Sequence, residues 1–245
     1  MRKILLFLLL MFAANFIQAQ GYAFGVKGGL TIGTQNWSGL EQDPLVKYHG
    51  IAFIESLSDD NEFAIFAQLG YHIKGSAQRN RRFTSVITGN IVQPKAKEFL
   101  FNNLSLTLGG KQKFNFSGST KVYYGFGIRL DYTLSTNLDE YTDFNLRNPA
   151  YAIYPFDEPT FINEFNYGVY LGGGFEIPFG ELTGMVLEFS VNPDFSLQYR
   201  QPPIPNVTDP YTGNERTLQE RKIRNLTFEV TAGFRFLNKI EYIDE

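Results

Sequence analysis

The sequence of 245 residues contains no cysteine, two histidines and one tryptophan. The absence of cysteine excludes disulfide bonds, thiolate metal sites, a cysteine nucleophile and the acylated cysteine of a bacterial lipoprotein. With two histidines, the options for metal binding and acid–base catalysis are narrow. Neither sign of charge dominates, since 22 basic and 25 acidic residues give a formal net charge of −3. We therefore expect no nucleic-acid partner.

The chain also lacks an apolar run long enough for a membrane-spanning helix. Residues 4–12 are apolar, about half of the roughly 20 residues that such a helix needs, and they follow Arg2 and Lys3. This order, with the small residue Ala19 before Gln20, predicts a signal peptide over residues 1–19 rather than an uncleaved transmembrane helix. A mature membrane protein with this sequence has to be a β-barrel, because only helices and closed barrels satisfy the backbone in lipid.

Strand-forming residues are abundant, with 24 Phe, 14 Tyr and 23 Gly. Five segments alternate with a period of two, with large apolar residues on one face and Gly, Ala, Thr and charged residues on the other. They are residues 22–33, 63–74, 122–134, 165–177 and 227–236. Three weaker segments, at about 47–57, 98–114 and 182–199, bring the predicted number of strands to eight. In the first of these the pattern does not decide which face is apolar.

The connections alternate between short and long. Tight polar or Pro/Gly turns are predicted at 58–61, 117–120 and 178–181, and long loops at 34–46, 76–97, 137–163 and 200–220. Outer-membrane barrels have short periplasmic turns and long external loops. We predict an all-β fold, a transmembrane antiparallel up-and-down barrel over residues 20–236, with extracellular loops and a short periplasmic tail at 237–245. Ten strands are the alternative, if residues 83–93 also span the membrane.

A soluble barrel such as a lipocalin is the structural alternative, and it would line its interior with apolar residues. An eight-stranded barrel has room inside only for side chains, so the aromatic residues of five strands cannot all point inward. We predict that they face lipid, and that the lumen holds paired charges, because buried charges are costly unless paired. The predicted lumen charge network consists of Lys27, Lys74, Arg129, Asp131, Glu176, Glu188, Glu229 and Arg235.

Three segments of the predicted strands carry a family resemblance: Gly25–Leu30, Gln68–Gly75 and Asn225–Phe236. They resemble the small outer-membrane β-barrel proteins of Bacteroidetes, known as PorT-like or porin-family proteins. The resemblance covers essentially the whole mature chain, and it implies an outer-membrane location and the barrel fold. That family has no shared catalytic residue or cofactor, so the resemblance implies none here.

Catalysis would have to involve one of the two histidines. His72 lies on the predicted inward face, where Ser76 and Glu98 could approach it to form the catalytic set of a lipid-modifying enzyme. The interpretation that we favour places His72 in the hydrogen-bond network of the lumen. We therefore predict a non-enzymatic protein without catalytic residues, metal or cofactor.

Two basic clusters fall in predicted external loops, and guanidinium groups match the geometry of phosphate. We expect outer-membrane lipid and lipopolysaccharide as partners; solvated loop charge is the alternative. The predicted contact residues are Arg79, Arg81, Arg82, Arg221, Lys222 and Arg224. Residues 137–163 and 200–214 are rich in aromatic residues or proline. They are predicted either to bind other outer-membrane proteins or glycans, or to cap the barrel.

Three functions are compatible with these patterns. The leading hypothesis is a structural or interaction subunit of the outer membrane, including an accessory of a larger secretion, uptake or assembly complex. A small-solute channel is the second, and it needs a wider lumen than eight strands provide. A lipid-modifying enzyme is the third, and it depends on His72.

Overall fold

The computed structural model describes residues 21–37, 41–58, 61–79, 82–84, 88–93, 96–147, 159–208 and 213–239. The predicted signal peptide and residues 240–245 of the predicted tail lie outside these ranges.

The described residues form thirteen strands and one α-helix. The long strands are β1 (Gly21–Trp37), β2 (Leu45–Leu57), β3 (Phe63–Gln78), β6 (Lys97–Ser117), β7 (Thr120–Thr136), β8 (Phe165–Pro178), β9 (Thr183–Pro193) and β13 (Arg221–Lys239). The short strands are β4 (Phe83–Thr84), β5 (Ile91–Val92), β10 (Tyr199–Gln201), β11 (Ile204–Thr208) and β12 (Glu215–Leu218). Helix α1 spans Leu138–Arg147, and a 3-10 turn spans Pro159–Phe161. Among the described residues, no helix is long and apolar enough to cross a membrane.

The eight long strands close into a ring. Each pairs antiparallel with its neighbour in the order β1-β2-β3-β6-β7-β8-β9-β13, and β13 pairs back with β1. The predicted eight-stranded up-and-down barrel is therefore confirmed. Strands β4 and β5 pair only with each other, in a separate two-stranded sheet. Residues 83–93 thus add no strand to the ring, and the ten-strand alternative is wrong.

Side chains alternate across the barrel wall as the period of two requires. In β1, Phe24, Val26 and Leu30 are exposed, whereas Lys27 and Thr31 are buried. The structure also decides the faces of β2, which the sequence left open: Val46, Tyr48 and Ile54 point outward, and His49, Phe53 and Glu55 point inward.

The exterior of the ring is apolar and its interior is polar. All eight long strands carry exposed large hydrophobic side chains, for example Leu69, Leu106, Ile128, Leu171, Phe189 and Val230. Charged side chains fill the inward face. This arrangement is the inverse of a water-soluble barrel and matches the surface of a transmembrane barrel. The soluble alternative is therefore wrong.

Most strands are longer than the predicted segments, for example β1, which ends at Trp37, and β13, which begins at Arg221. Strand β9 ends at Pro193, not near residue 199, because proline has no N–H to donate to the sheet. Strand β10 then takes over the pairing with the start of β13. The last strand continues to Lys239, which pairs with Gly21, so it extends three residues past the predicted barrel end at Phe236.

We refer to the end with the short connections as the turn end, and to the opposite end as the loop end. At the turn end, Ser117 pairs with Thr120 across a tight hairpin in which Gly118 has a φ of 57°. At the loop end lies a cluster of buried apolar side chains from six positions. They are Trp37, Phe99, Phe101, Leu138, Tyr199 and Ile223, with Tyr141, Phe161 and Ile162 packed against them. Part of the predicted loop 137–163 therefore caps the barrel.

Candidate functional site

The candidate site is the charged lumen. The structure brings all eight residues of the predicted charge network to the inward face, where each forms an ion pair. Four ionisable residues that the sequence analysis missed join them: Glu55, Lys111, Lys113 and Asp194. Six cationic and six anionic side chains thus face one another in the described part of the lumen.

Five of these twelve side chains form the turn-end cluster: Glu55, Lys111, Lys113, Glu176 and Arg235. The ammonium of Lys111 lies 2.8 Å from Oε1 of Glu176, and it also contacts Glu55. Lys113 lies 3.1 Å from a carboxylate oxygen of both glutamates. Arg235 contacts Glu176 as well. Three cations therefore share two carboxylates, and the cluster carries one excess positive charge.

A single ion pair lies farther along the lumen. The ammonium of Lys27 is 2.6 Å from Oε1 of Glu188, and both side chains are buried. The Tyr123 hydroxyl donates to the other carboxylate oxygen at 2.7 Å. Lys27 also lies over the ring of Phe53, 5.7 Å from its centroid. This pair is electrically neutral and fully enclosed by side chains.

The central cluster contains Lys74, Arg129, Asp131, Asp194 and Glu229. Lys74 lies between Asp131 and Asp194, at 2.7 and 2.9 Å. Arg129 contacts Asp131 through Nε at 3.1 Å and Glu229 through Nη1 at 3.3 Å. Three carboxylates share two cations, so this cluster carries one excess negative charge.

Both histidines border the central cluster. His49 and His72 are directly paired across β2 and β3, and their rings stack with centroids 5.3 Å apart. His72 Nδ1 lies 2.7 Å from Oε1 of Glu229. The two ring nitrogens of His49 lie 3.0 Å from the Thr31 hydroxyl and 2.9 Å from the Thr231 hydroxyl.

The structure does not bring Ser76 or Glu98 to His72. The Ser76 hydroxyl donates to Oε1 of Gln35 at 2.7 Å, and Glu98 pairs with Lys47 at 2.7 Å. The arrangement considered for a lipid-modifying enzyme is therefore not formed.

Little free space is left at the centre of the lumen. A cavity of about 10 Å³ is bordered by His72, Arg129 and Glu229, with Gly70 and Tyr170 among its other walls. This volume suits about one water molecule. Gly70 keeps the space next to His72 open, because a Cβ atom at this position would lie 2.4 Å from Nε2 of the imidazole.

The predicted lipopolysaccharide contacts fall in separate places. Arg79 donates to the Pro44 carbonyl at 3.0 Å, Arg82 is exposed, and Arg81 lies outside the described residues. On β13, Arg221 is half-buried, whereas Lys222 and Arg224 are exposed and alternate with the buried Ile223.

Arg200, which the sequence analysis did not single out, is the register partner of Lys222. Both bind Glu220, Lys222 at 2.7 Å and Arg200 at 3.2 Å. The hydrogen bond from Lys222 holds the pKa of the Glu220 carboxyl below its usual value. With Arg224, these residues form a basic patch at the loop end that has three cations and one carboxylate.

The chain matches no protein family and no curated protein sequence. Among solved structures, it is similar to Neisserial surface protein A (8% identity, 88% of this chain and 96% of that chain, TM-score 0.46). It is also similar to the outer membrane protein OprG from Pseudomonas aeruginosa (9% identity, 89% and 99%, TM-score 0.45). A third similar structure is the outer membrane protease OmpT from Escherichia coli (9% identity, 90% and 98%, TM-score 0.39). At such identities and TM-scores the likeness assigns neither a family nor a function, and the resemblance to PorT-like proteins stays a prediction.

Proposed function

We propose that the protein is a non-enzymatic subunit of the bacterial outer membrane whose lumen is sealed and whose external surface carries its function. This role includes service as an accessory of a larger secretion, uptake or assembly complex. The observation that carries the proposal is the filling of the lumen by twelve interlocked charges, six of each sign. Breaking a buried ion pair by removing one partner costs about 3–5 kcal/mol, so opening such a lumen is strongly unfavourable.

A porin-like channel is less well supported by the same observation. Ions passing through the barrel would have to separate Lys74 from two carboxylates and pass Arg129, both of which are fully buried. The apolar cluster at the loop end adds a second obstruction that contains no charged group.

Planar-bilayer recording tests the proposal. We expect reconstituted protein to give a closed trace. A variant with Lys74→Ala, Arg129→Ala and Asp131→Ala serves as the positive comparison, since it removes the two largest side chains of the central cluster and the carboxylate that they share. Heat-dependent gel mobility verifies that both proteins are folded. Steady conductance by the unmodified barrel would contradict a sealed lumen.

Lipopolysaccharide is the partner that the basic patch at the loop end fits best. Lys222 and Arg224 stand on the outward face of β13, and the same face continues into the membrane-facing residue Val230. Cations directly above an apolar belt meet the phosphate groups of lipid, to which guanidinium and ammonium groups bind by charge-assisted hydrogen bonds.

Co-purification measures this contact. We expect Lys222→Glu with Arg224→Glu to lower the amount of lipopolysaccharide that stays with the barrel through detergent washing. Lys121→Glu, at the turn end, is the matched charge reversal and should leave the amount unchanged. Equal retention of lipopolysaccharide by the wild type and both variants would contradict this partner. The proposal of a sealed lumen would not be affected.

A further inference from the structure

The two histidines of the chain and one glutamate form a compact set of metal-binding groups. His49, His72 and Glu229 each offer a ligand atom, and these atoms all lie within 4.8 Å of one another. All three side chains are buried. They come from β2, β3 and β13, so the set joins the second and third strands of the barrel to its last strand.

The chemistry of this set is that of a zinc site. Two imidazoles and one carboxylate form a common protein ligand set for Zn²⁺, with a water molecule as the fourth ligand. The cavity of about 10 Å³ beside His72 and Glu229 has room for that water. Thr31 and Thr231 contact the two ring nitrogens of His49. To bind the ion, one nitrogen gives up its threonine, and the other hydroxyl then orients the ring, as outer hydrogen bonds do in metal sites.

The local charge also favours a cation. Within the central cluster, Asp131, Asp194 and Glu229 are opposed only by Lys74 and Arg129 among the described residues. A divalent ion would change the charge of the cluster from one negative to one positive, so the attraction of the excess carboxylate supports binding and the direct bond to Glu229 has to supply the rest.

Arg129 would repel such an ion, but its shorter contact is with Asp131 and not with Glu229. Its contact with Oε1 of Glu229 is 3.3 Å, longer than its 3.1 Å contact with Asp131. The second oxygen of Glu229, Oε2, makes only a 3.4 Å contact with the Ser190 hydroxyl. Oε2 can therefore bind an ion while Arg129 stays with Asp131.

We propose that His49, His72 and Glu229 bind one divalent transition-metal ion of the zinc class inside the barrel, where it ties β2 and β3 to β13. Side chains enclose the site, so the ion enters while the barrel folds, and its binding energy adds to the stability of the folded state.

The test starts from protein folded in detergent with zinc chloride alone, or with EDTA, and then freed of loose metal by gel filtration. Elemental analysis should find about one zinc ion per chain after folding with zinc. His49→Gln and His72→Gln should each lose the ion, with folding verified by heat-dependent gel mobility. Glu41→Gln, a change at an exposed carboxylate of the loop end, is the matched control and should retain the ion.

The positioning hydroxyl gives a second readout that does not remove a ligand. Whichever of Thr31→Val and Thr231→Val removes the hydroxyl that orients the ring should weaken zinc binding about 10- to 100-fold, and serine at that position should restore it. With copper in place of zinc, the electron paramagnetic resonance spectrum should show nitrogen coupling that is lost in His72→Gln. Wild-type barrel that folds with zinc but retains no ion would overturn the proposal, as would retention unchanged in both histidine variants.

Discussion

The ammonium group of Lys74 lies 2.7 Å from Oδ2 of Asp131, across the lumen between strands that are not neighbours in the ring. The same ammonium holds Asp194 at 2.9 Å. One lysine therefore connects β3, β7 and the residue that follows β9, and all three side chains are almost fully buried. The loss of this single charge should therefore weaken the barrel strongly.

The first prediction concerns this lysine. Lys74→Met should lower the free energy of unfolding by about 3–5 kcal/mol, because it leaves the buried Asp194 without its cation and Asp131 with Arg129 alone. Lys47→Met is the matched control: it breaks the partly exposed pair with Glu98, which is worth about 1 kcal/mol or less. Unfolding in urea can be followed by the fluorescence of Trp37, the only tryptophan of the chain. Similar losses in the two variants would contradict the role assigned to Lys74.

The second prediction concerns Lys27 and Glu188. Each single change, Lys27→Met or Glu188→Gln, leaves a buried charge without its opposite, whereas the double variant leaves none. Glutamine can still accept the hydrogen bond from Tyr123. We therefore expect the double variant to lose less stability than the two single variants together, by about 1–3 kcal/mol, in urea unfolding. Strict additivity would show that the pair contributes no coupling.

Much of the architecture was predictable, because a membrane barrel imposes one rule on every strand. Outward residues must be apolar and inward residues small or polar, so the alternation identifies both the strand and its faces. This is why the sequence predicts that Lys27, Arg129 and Glu229 lie in the lumen. The weakest strand, β2, mixes the two classes: it carries Ile51 and Phe53 inward, so the rule did not decide its faces.

The alternation does not identify four charged residues of the lumen. They lie on β2, whose faces it leaves undecided, or near strand ends. Glu55 belongs to the undecided strand β2. Lys111 and Lys113 lie near the turn end of β6, where the two glycines after Leu108 interrupt the apolar alternation. Asp194 comes directly after Pro193, and its place in the lumen follows from its bridge to Gly168, a contact between distant segments that periodicity does not encode.

The third prediction tests the membrane-facing wall. Ile128 is at the middle of β7 and 60% exposed, and Leu134 is near its loop end and 53% exposed. Ile128→Arg should cost about 2–4 kcal/mol in lipid vesicles, and Leu134→Arg about 0–1 kcal/mol, because the penalty for charge falls with distance from the bilayer centre. Ile128→Leu is the control for a change in side-chain shape without a charge. If arginine were tolerated equally at both positions, the apolar belt would not be facing lipid.

The last prediction concerns the cap at the loop end. The Tyr141 hydroxyl donates to the Glu98 carbonyl at 2.6 Å and accepts from the Glu98 N–H at 3.1 Å. Its ring lies 5.0 Å from that of Phe99, which in turn packs 4.9 Å from Trp37. Tyr141→Phe keeps the ring but leaves the Glu98 N–H without this acceptor, at a cost of about 1–3 kcal/mol. We expect the cap to open more often and acrylamide to quench Trp37 more strongly, with barrel unfolding in urea little changed.

The pH dependence of this quenching distinguishes the contribution of the Tyr141 hydroxyl from the contribution of its ring. Burial raises the pKa of Tyr141 above its usual value, so the packed cap favours the neutral phenol. The stabilisation is complete below the pKa of an exposed tyrosine, about 10, and is lost as the pH rises through the raised value. Quenching of Trp37 should therefore increase above about pH 10 in the wild type and change less in Tyr141→Phe. Tyr132→Phe, which removes an exposed hydroxyl bound to Glu164, is the matched control and should follow the wild type. Identical profiles in all three proteins would mean that Tyr141 does not hold the cap.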